Sequence, residues 1–234
     1  MCTLLCLNWG VSDAQQKNNY DSANYLREVK SGLKKKFPDN RIYNIVFHGH
    51  SVPSGYWSHQ EVHTLESYPH LFLKQLKAYY PYAMINIITT SKGGEHSVNG
   101  AKRFVEDALV HKPDVVVIDY ALNDIGLTPD LMRMAWEKMI RECLKKNIKV
   151  VLMTPSPDQR INISKAGNKL EQRANVIRAL AKKYKTGLAD PFKTFQELHK
   201  NGNDLRGYMS GVNHPNEAGH QLMATALARL FIDE

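Results

Sequence analysis

Short β-branched and apolar runs alternate along this chain with longer stretches in which apolar residues recur every three or four positions. The runs fall at 41–47, 83–89, 114–120, 148–154 and 186–189. In the third, Val115, Val116, Val117 and Ile118 are apolar without interruption, the pattern of a strand covered on both faces. Between the runs, Leu26, Val29, Leu33 and Phe37 form a helical stripe. So do Leu71, Leu73, Leu76 and Tyr80, then Leu131, Met134, Trp136 and Met139, then Val176, Ile177 and Leu180. Leu222, Met223, Leu227, Leu230 and Phe231 close the chain with a last helix. Asn216 is placed to cap it, with Glu217 in its first turn.

Strands alternating with helices predict an α/β fold, a five-stranded parallel sheet inside a three-layer αβα sandwich. Its crossovers should be right-handed, and a ligand should bind beyond the carboxyl ends of the strands. No repeat, low-complexity tract or linker divides the chain. Residues 21–234 are read as one domain and 1–20 as an N-terminal extension. Residues 155–167 form a long loop at the edge where the strands end, placed to cover a site.

Composition narrows the partners. A length of 234 residues, 43% hydrophobic and 23% charged, suits one soluble core. No apolar run reaches the roughly 18 residues of a membrane span. The net charge of +8 comes partly from short lysine groups at 34–36, 145–146 and 182–183, each near the end of a predicted helix, where cations favour the helix dipole. That reads as solvated helix ends rather than a nucleic-acid surface. Three cysteines give no disulfide framework, and Cys143 reads as a small buried hydrophobe. His48, His50, His59 and His63 lie close in sequence without a cysteine or carboxylate cluster, so no metal and no cofactor are expected. Met1 to Leu7 is apolar but lacks a basic flank. It is either the tail of a signal segment or a frayed end, and a secreted or periplasmic location is favoured over a cytoplasmic one.

Candidate chemistry sits at the predicted strand ends. The first strand runs into Gly49-His50-Ser51, where a serine after a glycine-bearing turn is either an exposed nucleophile or a helix cap. The second runs into Gly93-Gly94, whose N–H groups can approach a ligand closely. The third runs into Ala121-Leu122-Asn123-Asp124, whose side-chain amide either donates into the crevice or closes a turn. His214 stands at the entry to the last helix.

Taken together, the order Ser51, Gly94, Asn123, His214 resembles the SGNH (GDSL-like) hydrolase superfamily. The likeness runs over nearly the whole chain, from about 41 to 231. Gly-His-Ser stands where that family has Gly-Asp-Ser. Gly94-Glu95-His96-Ser97 is similar to its second block, Ala121-Leu122-Asn123-Asp124 to its Gly-x-Asn-Asp block, and His214-Pro215-Asn216 with Gly219-His220 to the end of its last block. The resemblance implies a flavodoxin-like sandwich and a serine esterase working through an acyl-enzyme. Ser51 would be the nucleophile and His214 the base, with the N–H groups of Ser51 and Gly94 and the Asn123 amide holding the oxyanion. Short acyl groups, such as O-acetyl on carbohydrates, are the expected substrates, with His50, Tyr56 and Trp57 near them. Lysophospholipase or thioesterase activity, or a non-catalytic carbohydrate- or ester-binding domain, are the alternatives.

Three positions depart from the family pattern. His50 replaces the aspartate beside the nucleophile, Ala121 replaces a glycine, and Gly211 stands where the acid three residues before the histidine belongs. Disturbing that acid in a related triad costs about 10⁴ in kcat. The ring of His214 must therefore be oriented by a main-chain carbonyl near Gly211, by a carboxylate such as Asp204 or Asp190, or by nothing, leaving a Ser-His dyad. The carbonyl and the dyad are favoured.

Overall fold

The computed structural model describes residues 24–233, so the extension expected at 1–20 lies outside the described part. Five strands, β1 (Ile42–Gly49), β2 (Met84–Thr89), β3 (Val115–Asp119), β4 (Lys149–Met153) and β5 (Gly187–Ala189), form one parallel sheet in the order β2-β1-β3-β4-β5. The chain builds outward from β1 to β2, then returns to the other side of β1 for β3. The crevice of such a sheet opens at that reversal, between β1 and β3.

Alternation along the strands splits the core into two layers. Tyr43, Ile45 and Phe47 of β1, Val115 and Val117 of β3, and Val151 and Met153 of β4 face one side. They meet α1 (Arg27–Leu33), α3 (Tyr68–Tyr79), α7 (Pro191–Lys200) and α8 (Glu217–Ala228), through Leu33, Phe72, Phe192 and Leu227 among others. Val46, Val116, Ile118, Val150 and Leu152 face the other side. There they meet α4 (Ser97–Asp107), α5 (Pro129–Leu144) and α6 (Lys169–Tyr184), through Phe104, Trp136, Met139 and Ile177. β3 is buried along its whole length, as its unbroken apolar run requires. A single turn, α2 (Ser51–Ser54), follows β1 directly.

The expected helices form, with two local corrections. α1 ends at Leu33, so Phe37 lies beyond it and is 88% exposed rather than completing a buried stripe. On α5 the buried face is Met132, Ala135, Trp136, Met139 and Ile140, and Leu131 and Met134 point outward. β1 also runs two residues further than its apolar run. The ladder continues because Gly49 pairs with Asp119 on one side and accepts from the Lys92 N–H on the other at 3.0 Å. Asn216 caps α8 as expected, its side-chain oxygen accepting from the Gly219 N–H at 3.1 Å. Among the described residues no helix is long and apolar enough to cross a membrane.

Candidate active site

Ser51 is the first residue of α2, immediately after β1, and is almost buried. His50 caps this turn, its Nδ1 accepting from the Val52 N–H at 3.3 Å. Gly55 ends it with φ +83°, in the left-handed region, and a side chain there would also collide with the His63 carbonyl. The turn is thus fixed at both ends, and the hydroxyl it carries has little freedom to wander.

His214 arrives from the opposite end of the chain. Its Nε2 lies 2.9 Å from Ser51 Oγ. The loop that carries it is stitched to itself: the Ser210 N–H and hydroxyl both donate to the His214 carbonyl, at 2.9 and 3.1 Å, and Met209 bridges to Pro215. Burial, and then the neighbouring His50, hold the His214 ring below its ordinary pKa of 6.5. The imidazole is therefore neutral at neutral pH and able to accept the serine proton.

None of the described residues hydrogen-bonds to His214 Nδ1 or forms an ion pair with the ring. The Gly211 carbonyl accepts from Gln159 Nε2 at 3.1 Å. Asp204 is engaged by Arg206. Asp190 caps α7 and binds Thr154 and Arg178. Each group expected to orient the ring is engaged elsewhere.

The residues expected to supply oxyanion donors lie just after the carboxyl ends of β1, β2 and β3. Among the described residues, the N–H groups of Ser51 and Gly94 donate to nothing. Gly94 has φ +73°, and the space where a side chain would stand is open. Asn123 Nδ2 gives one hydrogen to the Glu95 carbonyl at 2.9 Å and keeps the other. That bond ties the loop after β3 to the loop after β2, so Gly94 and Asn123 are positioned together.

Supports for these donors were not legible locally. Arg103 Nε binds both carboxylate oxygens of Glu95, at 3.0 and 2.9 Å, and the Tyr120 hydroxyl donates to the same carboxylate at 2.9 Å. Asp124 accepts from the Ser97 N–H at 2.8 Å and from Trp136 Nε1 at 2.7 Å, and Arg173 binds its carbonyl. Asp124 sits in the Asn-Asp block and could be noticed there. Arg103 and Arg173 carry no local signal, because their partners come from other segments.

Three further expected residues take distinct places. Tyr56 stands beside the base, ring centres 6.3 Å apart, with its phenol end against Gly93. His50, next to Ser51 in the chain, is fully buried. Trp57 stacks on His63 at 3.9 Å, and its buried Nε1 has no partner among the described residues. The loop expected at 155–167 reaches the base through Gln159, whose main-chain N–H donates to the Val212 carbonyl at 2.8 Å.

Comparison with known proteins bears on this geometry. A sequence profile of the GDSL-like lipase/acylhydrolase family matches residues 47–222. An acetylxylan esterase of Geobacillus stearothermophilus is 26% identical over 166 residues, covering 66% of this chain and 75% of that protein. The solved structure of Axe2, an acetylxylan esterase from the same organism, superposes with a TM-score of 0.71 at 21% identity, covering 82% of this chain and 95% of that one. A two-domain esterase active on acetylated mannans superposes with a TM-score of 0.71 at 23% identity, covering 91% of this chain. This chain spans about half of that protein's length, 55%.

Proposed function

This chain belongs to the GDSL-like lipase/acylhydrolase family, a family of carboxylic-ester hydrolases, and from that premise we propose that it removes short acyl groups, O-acetyl on carbohydrates, through a Ser51 acyl-enzyme. The observation that carries the reading is the 2.9 Å contact between Ser51 Oγ and His214 Nε2, two groups separated by 163 positions in the chain.

Ser51 Oγ attacks the ester carbonyl as His214 Nε2 takes its proton. The carbonyl oxygen becomes negative and meets the unpaired N–H groups of Ser51 and Gly94 and the remaining hydrogen of Asn123 Nδ2. Each such donor is typically worth about 10²–10³ in kcat. Collapse breaks the bond to the alcohol oxygen, which leaves with the proton from His214. Water then attacks the acyl-enzyme, His214 again accepting the proton; the bond to Ser51 Oγ breaks, that oxygen takes the proton back from His214, and the free acid departs.

Two features support a small acyl group on a sugar. Tyr56 lies beside His214 and against Gly93, a placement that favours a small acyl group. Beside the histidine loop, a groove of about 380 Å³ is lined by Gln159, Asn162, His199, Asp204 and Arg206 together with Ile161 and Leu205. Hydrogen-bonding groups beside apolar patches suit a sugar ring. The acetylxylan and acetylated-mannan esterases to which this chain is similar act on esters of that class.

The test compares aryl acetate with aryl octanoate and labels the protein with a fluorophosphonate. Acetate should be cleaved faster, Ser51→Ala should abolish turnover, and the label should sit on Ser51. Octanoate cleaved as fast or faster would remove the short-acyl claim. A folded protein that takes no label would remove the acyl-enzyme.

A further inference from the structure

Beneath the Ser51–His214 pair lies a set of buried polar side chains that the reaction as written does not use. His50, Tyr68 and His220 are fully buried, and Asp119 is 1% exposed. Buried polar groups at this density are costly unless each is satisfied. Their connections are specific. Asp119 pairs with Gly49 across β1 and β3, so the carboxylate stands beside the strand end that carries the nucleophile. Tyr68 donates its hydroxyl to Asp119 Oδ2 at 3.0 Å. His50 Nε2 stands 3.4 Å from Asp119 Oδ1, longer than a well-formed hydrogen bond, and has no other partner among the described residues.

The tautomer of His50 follows from its other nitrogen. Nδ1 accepts the Val52 N–H and must carry a lone pair, so the ring proton is on Nε2, facing Asp119. The opposite tautomer would set two donors against each other and uncap the turn that presents Ser51. The remaining charges around the pair are accounted for. His220, on α8, is held neutral by burial, pushed down to about 3. Asp124 also faces His50, but both of its oxygens are taken by the Ser97 N–H and Trp136 Nε1. Tyr56 meets His214 only through its ring. When His214 takes the serine proton, none of the described residues accepts from its Nδ1, and its new charge lies beside His50.

We propose that Asp119 is the acid of this site, a positioning residue that acts through His50 rather than on His214. Its carboxylate fixes His50 with the proton on Nε2, which keeps the nucleophile turn capped. Its charge, across the His50 ring, favours the imidazolium that forms on His214. The displaced acid explains how a chain with Gly211 at the family's acid position keeps an electrostatic partner for its base. This inference rests on the Ser51–His214 reading above.

The experiment uses Asp119→Asn, His50→Asn, Tyr68→Phe and the Asp119→Asn/His50→Asn double variant, assayed on aryl acetate across pH. Fluorophosphonate labelling and thermal melting are run alongside. His50→Asn keeps an acceptor for the Val52 N–H but breaks the link to Asp119. Asp119→Asn should lower kcat by about 10- to 100-fold, less than the roughly 10⁴ for an acid in direct contact, with KM within about threefold. Its acid limb of kcat/KM should move to lower pH, since loss of a negative charge disfavours protonated His214. The double variant should lose less than the product of the two single losses, because both break one connection. Tyr68→Phe should lie between wild type and Asp119→Asn. A wild-type kcat and pH profile in folded Asp119→Asn would overturn the proposal, as would a lowered melting temperature with an unmoved acid limb. If Asp119→Asn does not fold, an unmoved kcat in His50→Asn overturns it equally. A wild-type protein that takes no label at Ser51 would overturn the esterase reading and this one with it. A labelled wild type with an unchanged Asp119→Asn profile overturns this one alone.

Discussion

A methyl group at Gly49 should damage the reaction more than the fold. An ideal Cβ built there falls inside 3 Å of the Asp119 main-chain oxygen and 2.9 Å from Pro53 Cγ. Ordinary contacts of this kind lie at 3.4–4 Å, and the first obstacle is main chain of a central strand, which cannot rotate away. β1 and β3 must therefore part at their carboxyl ends by roughly half an ångström to one ångström, the scale on which packed cores resist insertion. Overpacking of this size costs about 1–3 kcal/mol of stability. Gly49 lies two residues before Ser51, and its partner Asp119 lies four before Asn123. The parting thus separates the nucleophile from an oxyanion donor. A misplacement near one ångström costs about 10² in rate. Gly49→Ala should accordingly lose about 100-fold in kcat/KM on aryl acetate, and its urea midpoint should fall by the equivalent of about 1–3 kcal/mol. Gly126→Ala is the matched control, since a side chain there meets nothing within 4 Å. A Gly49→Ala protein with kcat/KM within about threefold of wild type and an unchanged midpoint would refute the reasoning.

Three other outcomes are expected. Asn123→Ala should lower kcat by about 10²–10³ in steady-state assays, with a further loss of order in the Gly94 loop, because the bond to the Glu95 carbonyl goes with it. Tyr56→Ala should lower the acetate-to-octanoate preference by about tenfold in paired assays, since the ring that bounds the acyl space is removed. His48 and His220 are buried neutral, pushed down to about 4 and about 3 from 6.5. The unfolded chain takes up their protons first, so the stability they secure is full above pH 6.5 and lost as pH falls from there toward about 4 and 3. Between pH 7 and pH 5 each should cost about 2 kcal/mol in urea unfolding, and replacing either by Gln should flatten that slope.

The sequence is most informative where the physics is local. Val115 to Ile118 reads as a doubly covered strand, and is one, because four apolar residues in a row leave no face for water. Ser51, Gly94, Asn123 and His214 stand out because each follows a sheet element or enters a helix, and parallel topology gathers those ends on one edge. Asp119 is silent by the same rule. It follows the apolar run as a lone carboxylate, and only the register of β1 against β3 places it beside Gly49. Arg103 looks like one more cation on a helix until Glu95, eight positions earlier, folds back onto it. The orientation of His214 is hidden for a related reason: the missing acid at Gly211 is visible, and so is Arg206 two residues from Asp204, but Arg178 on Asp190 and Gln159 on the Gly211 carbonyl arrive from 12 and 52 positions away.

Gln159 grips the base's loop at two points, through its main-chain N–H to Val212 and its amide to Gly211. Yet it belongs to the wall of the groove read as the sugar site. On the proposed reading, recognition and proton transfer are thereby mechanically yoked. Redesigning 155–167 to admit a different ester would then also reset the seat of the His214 imidazole, so libraries in that segment should be screened for turnover and preference together rather than in sequence.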